Sequence, residues 1–278
     1  MAFPPRNIYI IKYHILCNLS NRLTEIYFFC TIYASYFCGV FMDKHLFLYY
    51  ACIGIGFLLG AVYLFAVRKK HGISLKQAVQ FSLLGLCTSL VGAVLMAQLY
   101  NEIILFASGG EVQAASRLRL FGVLLFSPFI VKILYSIGKL NADTPLDLYA
   151  AGTVLALGCA KIGCFCYGCC YGIECTHGIR NRLTGLTVVP VQLIEALFCF
   201  VLAAALMFLV HRKKCVGLIF PIAQIAYSVP RFFLEFLRHY DYSVEGDVFL
   251  QLSVWQVFSV LTVFVGVVWL LLARKKQS

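Results

Sequence analysis

Charged residues are scarce in this sequence. They make up 13% of its 278 residues, and only 12 residues are acidic, whereas soluble domains carry about 25% charged residues. So little charge cannot cover the surface of a water-soluble protein of this length, which excludes an ordinary soluble enzyme or binding module. Hydrophobic residues account for 62% of the chain instead, with a mean hydropathy of +0.87.

Long stretches of the chain lack charge altogether, and their lengths match a membrane span. A helix needs about 20 apolar residues to cross a hydrocarbon core of ~30 Å. We therefore predict an all-α polytopic integral membrane protein with seven transmembrane helices. Five runs are clean, with at most two charges each, and two further runs are interrupted by proline, lysine or glycine. The clean runs are Leu46–Val67, Ala78–Tyr100, Val188–Val210, Val216–Leu237 and Val248–Ala273, and the interrupted ones are Leu120–Gly138 and Leu148–Tyr171.

The N-terminal part of the chain allows several interpretations. Ile26–Met42 is 17 apolar residues long, which is the lower limit for a span. It fits an extra N-terminal hydrophobic helix, an arm in the membrane interface, or the product of an upstream start codon. It lacks a small-residue cleavage site, so we do not interpret it as a signal peptide. We predict an N-terminal extension at residues 1–44 and a seven-helix membrane domain at residues 45–278.

The net charge of +11 results from basic clusters that follow apolar runs. With seven spans, the clusters at the ends of the first, fifth and seventh runs fall on one side of the membrane. The positive-inside rule places that side in the cytoplasm, so the charge predicts topology and no nucleic-acid partner. The clusters are Arg68–Lys70, Arg212–Lys214 and Arg274–Lys276, and the segments that then face outward are 101–119, 173–187 and 238–247.

Cysteine, by contrast, is abundant, with 13 residues. Six of them lie near the outer end of the fourth run, where the spacing C-x-C-x2-C-C matches no zinc ribbon or ferredoxin motif. We predict that cysteines serve as small packing residues and that no metal is bound, and a metal site or disulfides stay open as alternatives. The six are Cys159, Cys164, Cys166, Cys169, Cys170 and Cys175.

Four charged residues lie within three of the apolar runs or at their ends: Lys161, Glu195, Arg231 and Glu235. A charge at the bilayer centre costs about 2.5–3.5 kcal/mol on insertion scales, so such residues usually face a cavity and serve function. Arg231, Glu235 and Arg238 are spaced i, i+4, i+7, which predicts a shared helix face. One interpretation is a structural ion pair between helices. The mixed charge favours the other, a polar pocket for an anion such as a lipid phosphate.

Three stretches resemble signatures of the prolipoprotein diacylglyceryl transferase family. KIGCFCYGCCYG at 161–172 is similar to GRxGNFxNGExxG, VPVQLIEAL at 189–197 to HPxQLYE, and RFFLEFLR at 231–238 to RFxxEFxR. Gln256, early in the last run, also fits, and the resemblance covers roughly residues 45–272. The residues that keep the pattern in the first two stretches are Gly163, Phe165, Gly168, Gly172, Pro190, Gln192, Leu193 and Glu195.

The resemblance implies a transferase that moves a diacylglyceryl group from phosphatidylglycerol to the lipobox cysteine thiol of a prolipoprotein. This is the first step of bacterial lipoprotein maturation, at the outer side of the plasma (inner) membrane. The implied partners are phosphatidylglycerol, the signal-peptide and lipobox segment of a prolipoprotein, and membrane lipids, and no cofactor is implied. The residues implied in catalysis are Arg231, Glu235 and Lys161, and those implied in substrate binding are Arg238, Glu195, Gln192, Gly163 and Gly172. We expect Arg231 to bind the phosphate and Glu235 to position it.

Four positions depart from the family pattern. Lys161 replaces an arginine, Cys164 an asparagine and Cys169 a carboxylate, while Phe121 stands for the histidine of a histidine-glycine-glycine motif. The candidate base is therefore missing, and Glu235 or His177 could compensate. Two alternative functions stay open. One is a relative on the same fold that acts on another lipid anion or has lost catalysis, and the other is an unrelated small transporter, although no internal repeats are found.

Overall fold

A computed structural model describes residues 44–107, 121–137, 143–239 and 252–277. Most of the described chain is helical, and the described residues from Leu48 onward belong to one compact unit. The segment Ile26–Met42 lies outside the described residues. The helices are α1 (Lys44–Val67), α2 (Leu75–Ala107), α3 (Phe121–Leu125), α4 (Ser127–Ile137), α5 (Asp143–Tyr167), α6 (Val191–His211), α7 (Ile219–Leu234) and α8 (Val254–Gln277). Short 3₁₀ helices follow α1 at Arg68–His71 and α7 at Glu235–Leu237.

Five of these helices, α1, α2, α5, α6 and α8, are long and apolar enough to cross a membrane. α3 and α4 together form a shorter apolar stretch, Phe121–Ile137. It is broken at Phe126, because Pro128 in the first turn of α4 has no N–H to donate to the preceding turn. α7 has 16 residues and is extended by its 3₁₀ helix. The prediction of a helical multi-pass membrane protein is thus confirmed.

Small residues bring the helix backbones close together, as in other membrane proteins. A Cβ atom added to Gly56 of α1 would lie 2.8 Å from the Cα atom of Ala156 of α5, and Gly60 faces Gly152 one turn away. The outer face of α1 exposes apolar side chains, among them Leu58 at 63%. A surface of this kind suits lipid tails, so α1 has one face for its neighbour and one for the membrane.

A two-stranded antiparallel sheet lies between α5 and α6, where the sequence predicts only a loop. Its strands are β1 (Glu174–Arg180) and β2 (Thr187–Val188). Asn181 closes the turn between them, because its Oδ1 atom accepts hydrogen bonds from the backbone N–H groups of Leu183 (2.9 Å) and Thr184 (3.1 Å). The polar residues of this segment therefore form a structured hairpin.

Asp147 fixes the opposite end of the helices. The carboxylate of this buried α5 residue accepts hydrogen bonds from the N–H groups of Gly217 (2.6 Å) and Ile219 (3.1 Å) at the start of α7. Leu218, at the N-cap of α7, offers no side-chain acceptor. An aspartate from another helix thus caps the first turn of α7 and joins α5 to α7.

Candidate active site

The charged residues of the apolar runs meet at one end of the helices. Lys161 lies near the end of α5, Glu195 in the second turn of α6, and Arg231 in the last turn of α7. Glu235 opens the 3₁₀ helix that follows α7. The C-terminal ends of α5 and α7 and the N-terminal end of α6 therefore contribute to one site, although their residues are far apart in sequence.

A continuous chain of ion pairs connects these residues. The Nζ atom of Lys161 lies 2.7 Å from Oε2 of Glu195, and Nε of Arg231 lies 3.5 Å from the other oxygen of the same carboxylate. The Nη1 atom of Arg231 contacts Oε2 of Glu235, and Nη1 of Arg238 lies 3.6 Å from that atom. The order Lys161–Glu195–Arg231–Glu235–Arg238 alternates cation and carboxylate.

This ion-pair chain is buried and carries an excess of positive charge. Three cations face two carboxylates, which leaves one formal positive charge. The side chain of Arg231, at its centre, is only 4% exposed, whereas those of Lys161 and Arg238, at its ends, are 12% and 13% exposed. Because a buried unpaired charge is costly, the excess charge makes the site attractive to an anion.

Neutral partners hold both carboxylates in place. The Tyr227 hydroxyl donates a hydrogen bond of 2.7 Å to Glu195, and the Ser253 hydroxyl donates one of 3.3 Å to Glu235. Ser253 also exchanges hydrogen bonds with Gln256 at the start of α8, in a capping arrangement. Tyr227 and Ser253 are not predicted from the sequence as site residues. The spacing of Tyr227, one turn before Arg231, was the only sign that it faces the same site.

The prediction that Arg238 shares a helix face with Arg231 and Glu235 is wrong. α7 ends at Leu234, and Arg238 has an extended backbone that forms a β-bridge with Gly172. Backbone hydrogen bonds from Ile173 to Leu237 (2.9 Å) and from His239 to Tyr171 (3.1 Å) maintain this bridge. The chain leaves the helix because pairing with the segment after α5 satisfies its backbone groups. Arg238 still reaches Glu235, now through the 3₁₀ turn.

Three of the residues expected to bind substrate contact backbone. Gly172 lies between two chain segments, since an added Cβ atom would be 2.6 Å from the carbonyl oxygen of Val189 and 2.7 Å from that of Leu237. A Cβ atom on Gly163 would be 2.9 Å from the carbonyl oxygen of Tyr49 in α1. The Gln192 amide donates a 2.7 Å hydrogen bond to the Cys169 carbonyl. These contacts fix the backbone around the ion-pair chain.

Phe121, where the family has its histidine, and His177, one of the two residues considered as a replacement base, differ in their surroundings. Phe121 is buried, and its ring packs against those of Tyr227 and Trp255 at centroid distances of 6.0 and 6.3 Å. It therefore contacts the tyrosine that holds Glu195 and fills that space with apolar surface. His177 is exposed on β1.

Three of the clustered cysteines meet beside the ion-pair chain. The Sγ atoms of Cys164, Cys169 and Cys170 lie within 4.8 Å of one another. Hydrogen bonds with the other two thiols, and next the cations Arg238 and Lys161, hold the pKa of the Cys170 thiol well below its usual range, although burial opposes this shift. Among the scattered cysteines, Cys199 is fully buried, as expected of a packing residue.

Two cavities lie among the described residues, and the smaller of them adjoins the site. An apolar cavity of about 350 Å³ lies among α1, α2, α4 and α5, lined among others by Leu64, Leu84, Val131 and Tyr149. A smaller cavity of about 170 Å³ lies beside the hairpin and has mixed walls, with Phe165 and Ile179 as well as Arg180, Arg182 and Gln192 in its lining. The protein thus offers an apolar space between helices and a mixed polar and apolar space beside the hairpin.

The fold and the site define a multi-pass helical membrane protein with a buried, net-positive polar site. The sequence profile of the prolipoprotein diacylglyceryl transferase family matches residues 40–272. The chain belongs to this family. The predictions of a transferase and of its family are therefore confirmed.

Individual similar proteins are named phosphatidylglycerol–prolipoprotein diacylglyceryl transferase. A phosphatidylglycerol–prolipoprotein diacylglyceryl transferase of Clostridium tetani is 26% identical over 234 residues, which cover 79% of this chain and 90% of the relative. The enzyme numbered 2 of Clostridium perfringens is 36% identical over 108 residues, 36% of this chain and 42% of that protein. A relative from Wolbachia pipientis is 32% identical over 147 residues, or 49% and 56% of the two chains.

Proposed function

We propose that the protein transfers a diacylglyceryl group from phosphatidylglycerol to the lipobox cysteine thiol of prolipoproteins. The buried ion-pair chain with one excess positive charge carries this proposal. Phosphatidylglycerol has one phosphate with a single negative charge, which matches that excess. The names of the relatives and the family profile support the same substrates.

The reaction is a displacement at carbon. The thiol sulfur attacks a glyceryl carbon of the lipid, a C–S bond forms, and the C–O bond to the phosphate breaks. The electron pair leaves with the glycerol phosphate, whose negative charge increases. Lys161, Arg231 and Arg238 stabilise this charge, which is a transition-state effect rather than uniform binding.

The positions of the three cations assign them different roles. Both Nε and Nη1 of Arg231 face carboxylates, so it holds Glu195 and Glu235 apart and orients them. Lys161 and Arg238 lie at the more exposed ends of the ion-pair chain, where a phosphate meets them and the central guanidinium together. Glu235, next to Arg238, accepts the thiol proton and passes it to the departing phosphate.

We propose seven spans: α1, α2, the pair α3–α4, α5, α6, α7 with its 3₁₀ helix, and α8. The basic residues Arg68–His71 and Arg212–Lys214 then lie at the cytoplasmic end, and the ion-pair chain lies at the opposite end. In a bacterial plasma membrane this places the site at the outer side, where prolipoproteins emerge.

The apolar cavity suits an acyl chain of the lipid. Tyr149 in its wall and Lys161 lie on the same helix, twelve residues apart, or about 18 Å along the axis. A phosphate at the ion-pair chain therefore allows an acyl chain to extend along α5 into this cavity.

Complementation tests the proposed function. The chain is expressed in a bacterium depleted of its own transferase. Mass spectrometry then shows whether a reporter lipoprotein gains a diacylglyceryl thioether. The same strain with the Lys161→Met and Arg231→Ala double variant serves as the control. Modification by the wild type alone supports the proposal. Absence of the thioether with a well-expressed wild-type protein contradicts it and favours a relative that acts on another lipid anion.

A further inference from the structure

Three cysteine thiols converge on one point beside the ion-pair chain. Cys164 belongs to the last turn of α5, and Cys169 and Cys170 follow directly after the helix ends. Their Sγ atoms lie within 4.8 Å of one another. Such a group of thiols is the donor set that thiophilic metals prefer. We propose that Cys164, Cys169 and Cys170 form a three-thiolate site for a thiophilic metal ion, Zn²⁺ or Cu⁺.

The spacing of the sulfur atoms suits a single shared ion. A thiolate lies about 2.3 Å from Zn²⁺, so three thiolates in one plane around the ion are about 4 Å apart. The sulfur atoms in the structure lie within 4.8 Å of one another. Their separations therefore exceed this value by no more than about 1 Å. Small changes of side-chain torsion are enough to close that difference, without movement of the backbone.

The backbone that presents the thiols is held by residues from elsewhere in the fold. Asn181 donates a 2.9 Å hydrogen bond to the carbonyl of Gly168, and Gln192 donates one of 2.7 Å to that of Cys169. Cys170 has a φ of 61°, a left-handed conformation that is uncommon for residues other than glycine. This conformation turns the chain so that the thiol of Cys170 faces that of Cys164. An arrangement fixed in this way favours metal binding over simple packing.

The surrounding charges suit a thiolate site. Lys161 and Arg238 are close enough to interact electrostatically with Cys170, and Lys161 also with Cys169. Three thiolates and one Zn²⁺ carry a net charge of −1, and the nearby cations reduce the cost of burying this charge. Zn²⁺ usually takes four ligands, so a water molecule completes its tetrahedral shell at this site. Cu⁺ needs only the three thiolates.

Direct metal titration of the full chain tests the site without reference to transferase activity. The protein is purified in detergent under reducing, metal-depleted conditions and titrated separately with Zn²⁺, Cu⁺ and the spectroscopic probe Co²⁺. We expect one ion per chain, thiolate-to-cobalt charge-transfer absorption, and a higher apparent Tm with the ion that binds. Cys164→Ser, Cys169→Ser and Cys170→Ser should each weaken binding by more than about tenfold.

Cys166→Ser and Cys175→Ser are the matched controls, because they change cysteines of the same segment that lie outside this group. Retained binding in both controls and loss in the three variants supports the inference, provided that circular dichroism shows each variant to be folded. No stoichiometric binding by the reduced wild type, or equal binding by all variants, overturns the proposal. That outcome would support the prediction from sequence that the protein is metal-free.

Discussion

Lys161 on α5 and Glu195 on α6 form an ion pair in which the Nζ and Oε2 atoms are 2.7 Å apart. The same carboxylate faces Arg231 on α7 and accepts a hydrogen bond from Tyr227. Glu195 therefore links three helices through its two oxygen atoms. The lysine carries the charge that the family pattern assigns to an arginine, but it lacks the bidentate fork.

Substitutions at Lys161 should separate the need for charge from the need for geometry. Lys161→Arg keeps the charge and adds a fork for phosphate, so transfer should be kept or increased. Lys161→Met keeps the length and removes the charge, so transfer should fall by about tenfold or more, since a hydrogen bond to a charged group contributes about 1.5–3 kcal/mol. Transfer of labelled lipid to a lipobox peptide measures both. Equal activity in the two variants would show that charge at this position is not used.

The cap that Asp147 supplies to α7 should be visible in stability. Asp147→Asn keeps one acceptor oxygen but removes the negative charge that two backbone N–H groups contact. We therefore expect the free energy of unfolding to fall by about 1–3 kcal/mol. The apparent Tm in detergent should fall by several degrees. Glu174→Gln makes the same chemical change at an exposed position on β1 and should leave Tm unchanged. An unchanged Tm for Asp147→Asn would show that the cap contributes nothing.

Gly172 should tolerate no side chain. Gly172→Ala places a methyl group against the carbonyl oxygens of Val189 and Leu237, at 2.6 and 2.7 Å, so the segment that carries Arg238 must shift. We expect a loss of stability of about 1–3 kcal/mol from overpacking and a clear loss of lipid transfer.

Gly54→Ala in α1 is the matched control for this change, because a Cβ atom there meets nothing within 4 Å. It should behave as the wild type in both assays. A fully active and stable Gly172→Ala protein would show that the β-bridge to Arg238 is not required.

Sequence was sufficient for the parts of the structure that membrane physics determines. The lengths of the apolar runs predicted a helical membrane protein, and five helices are long and apolar enough to cross a membrane, because a span of fixed thickness needs a fixed number of residues. Lys161, Glu195, Arg231 and Glu235 were found because charge is rare and costly at membrane depth.

Features that depend on tertiary contacts were not predictable in this way. The exit of Arg238 from the helix depends on pairing with Gly172, and the cap of α7 depends on Asp147, 70 residues away in sequence. The convergence of three thiols at the end of α5 depends on a left-handed turn at Cys170. None of these contacts has a periodic signature, so spacing alone could not reveal them.

The orientation of the membrane domain can be tested with a native thiol. Cys215 is exposed in the connection between α6 and α7, which the positive-inside rule assigns to the cytoplasm. A membrane-impermeant maleimide should label it in inverted vesicles and not in intact spheroplasts. Loss of this label in Cys215→Ser identifies Cys215 as the labelled residue. Thr176→Cys, at an exposed position on β1, should add a label in intact spheroplasts. The reverse pattern would overturn the topology.

Arg231 lies at the centre of the ion-pair chain, and its side chain is only 4% exposed. Its removal leaves two buried carboxylates without the cation that separates them, and breaking a buried pair costs about 3–5 kcal/mol. Arg231→Ala should therefore abolish transfer. Arg231→Lys keeps the charge but cannot face Glu195 and Glu235 with two separate N–H groups, so transfer should fall by about tenfold or more.

Substitutions of Arg238 and Glu235 show whether the loss of transfer is specific to Arg231. Arg238 contacts Glu235 at 3.6 Å and its side chain is 13% exposed, so water can replace part of its contribution, and Arg238→Ala should do less harm than either Arg231 variant. Glu235→Gln should cause a loss between those of Arg238→Ala and the Arg231 variants, because it keeps the hydrogen-bonding shape but loses the charge that orients both arginines and accepts the thiol proton. Each variant is assayed for transfer to a lipobox peptide at matched membrane expression, and below its own Tm so that it is folded. Normal transfer by a well-expressed Arg231→Ala protein would contradict the role of the ion-pair chain and remove the main structural support for the proposed reaction.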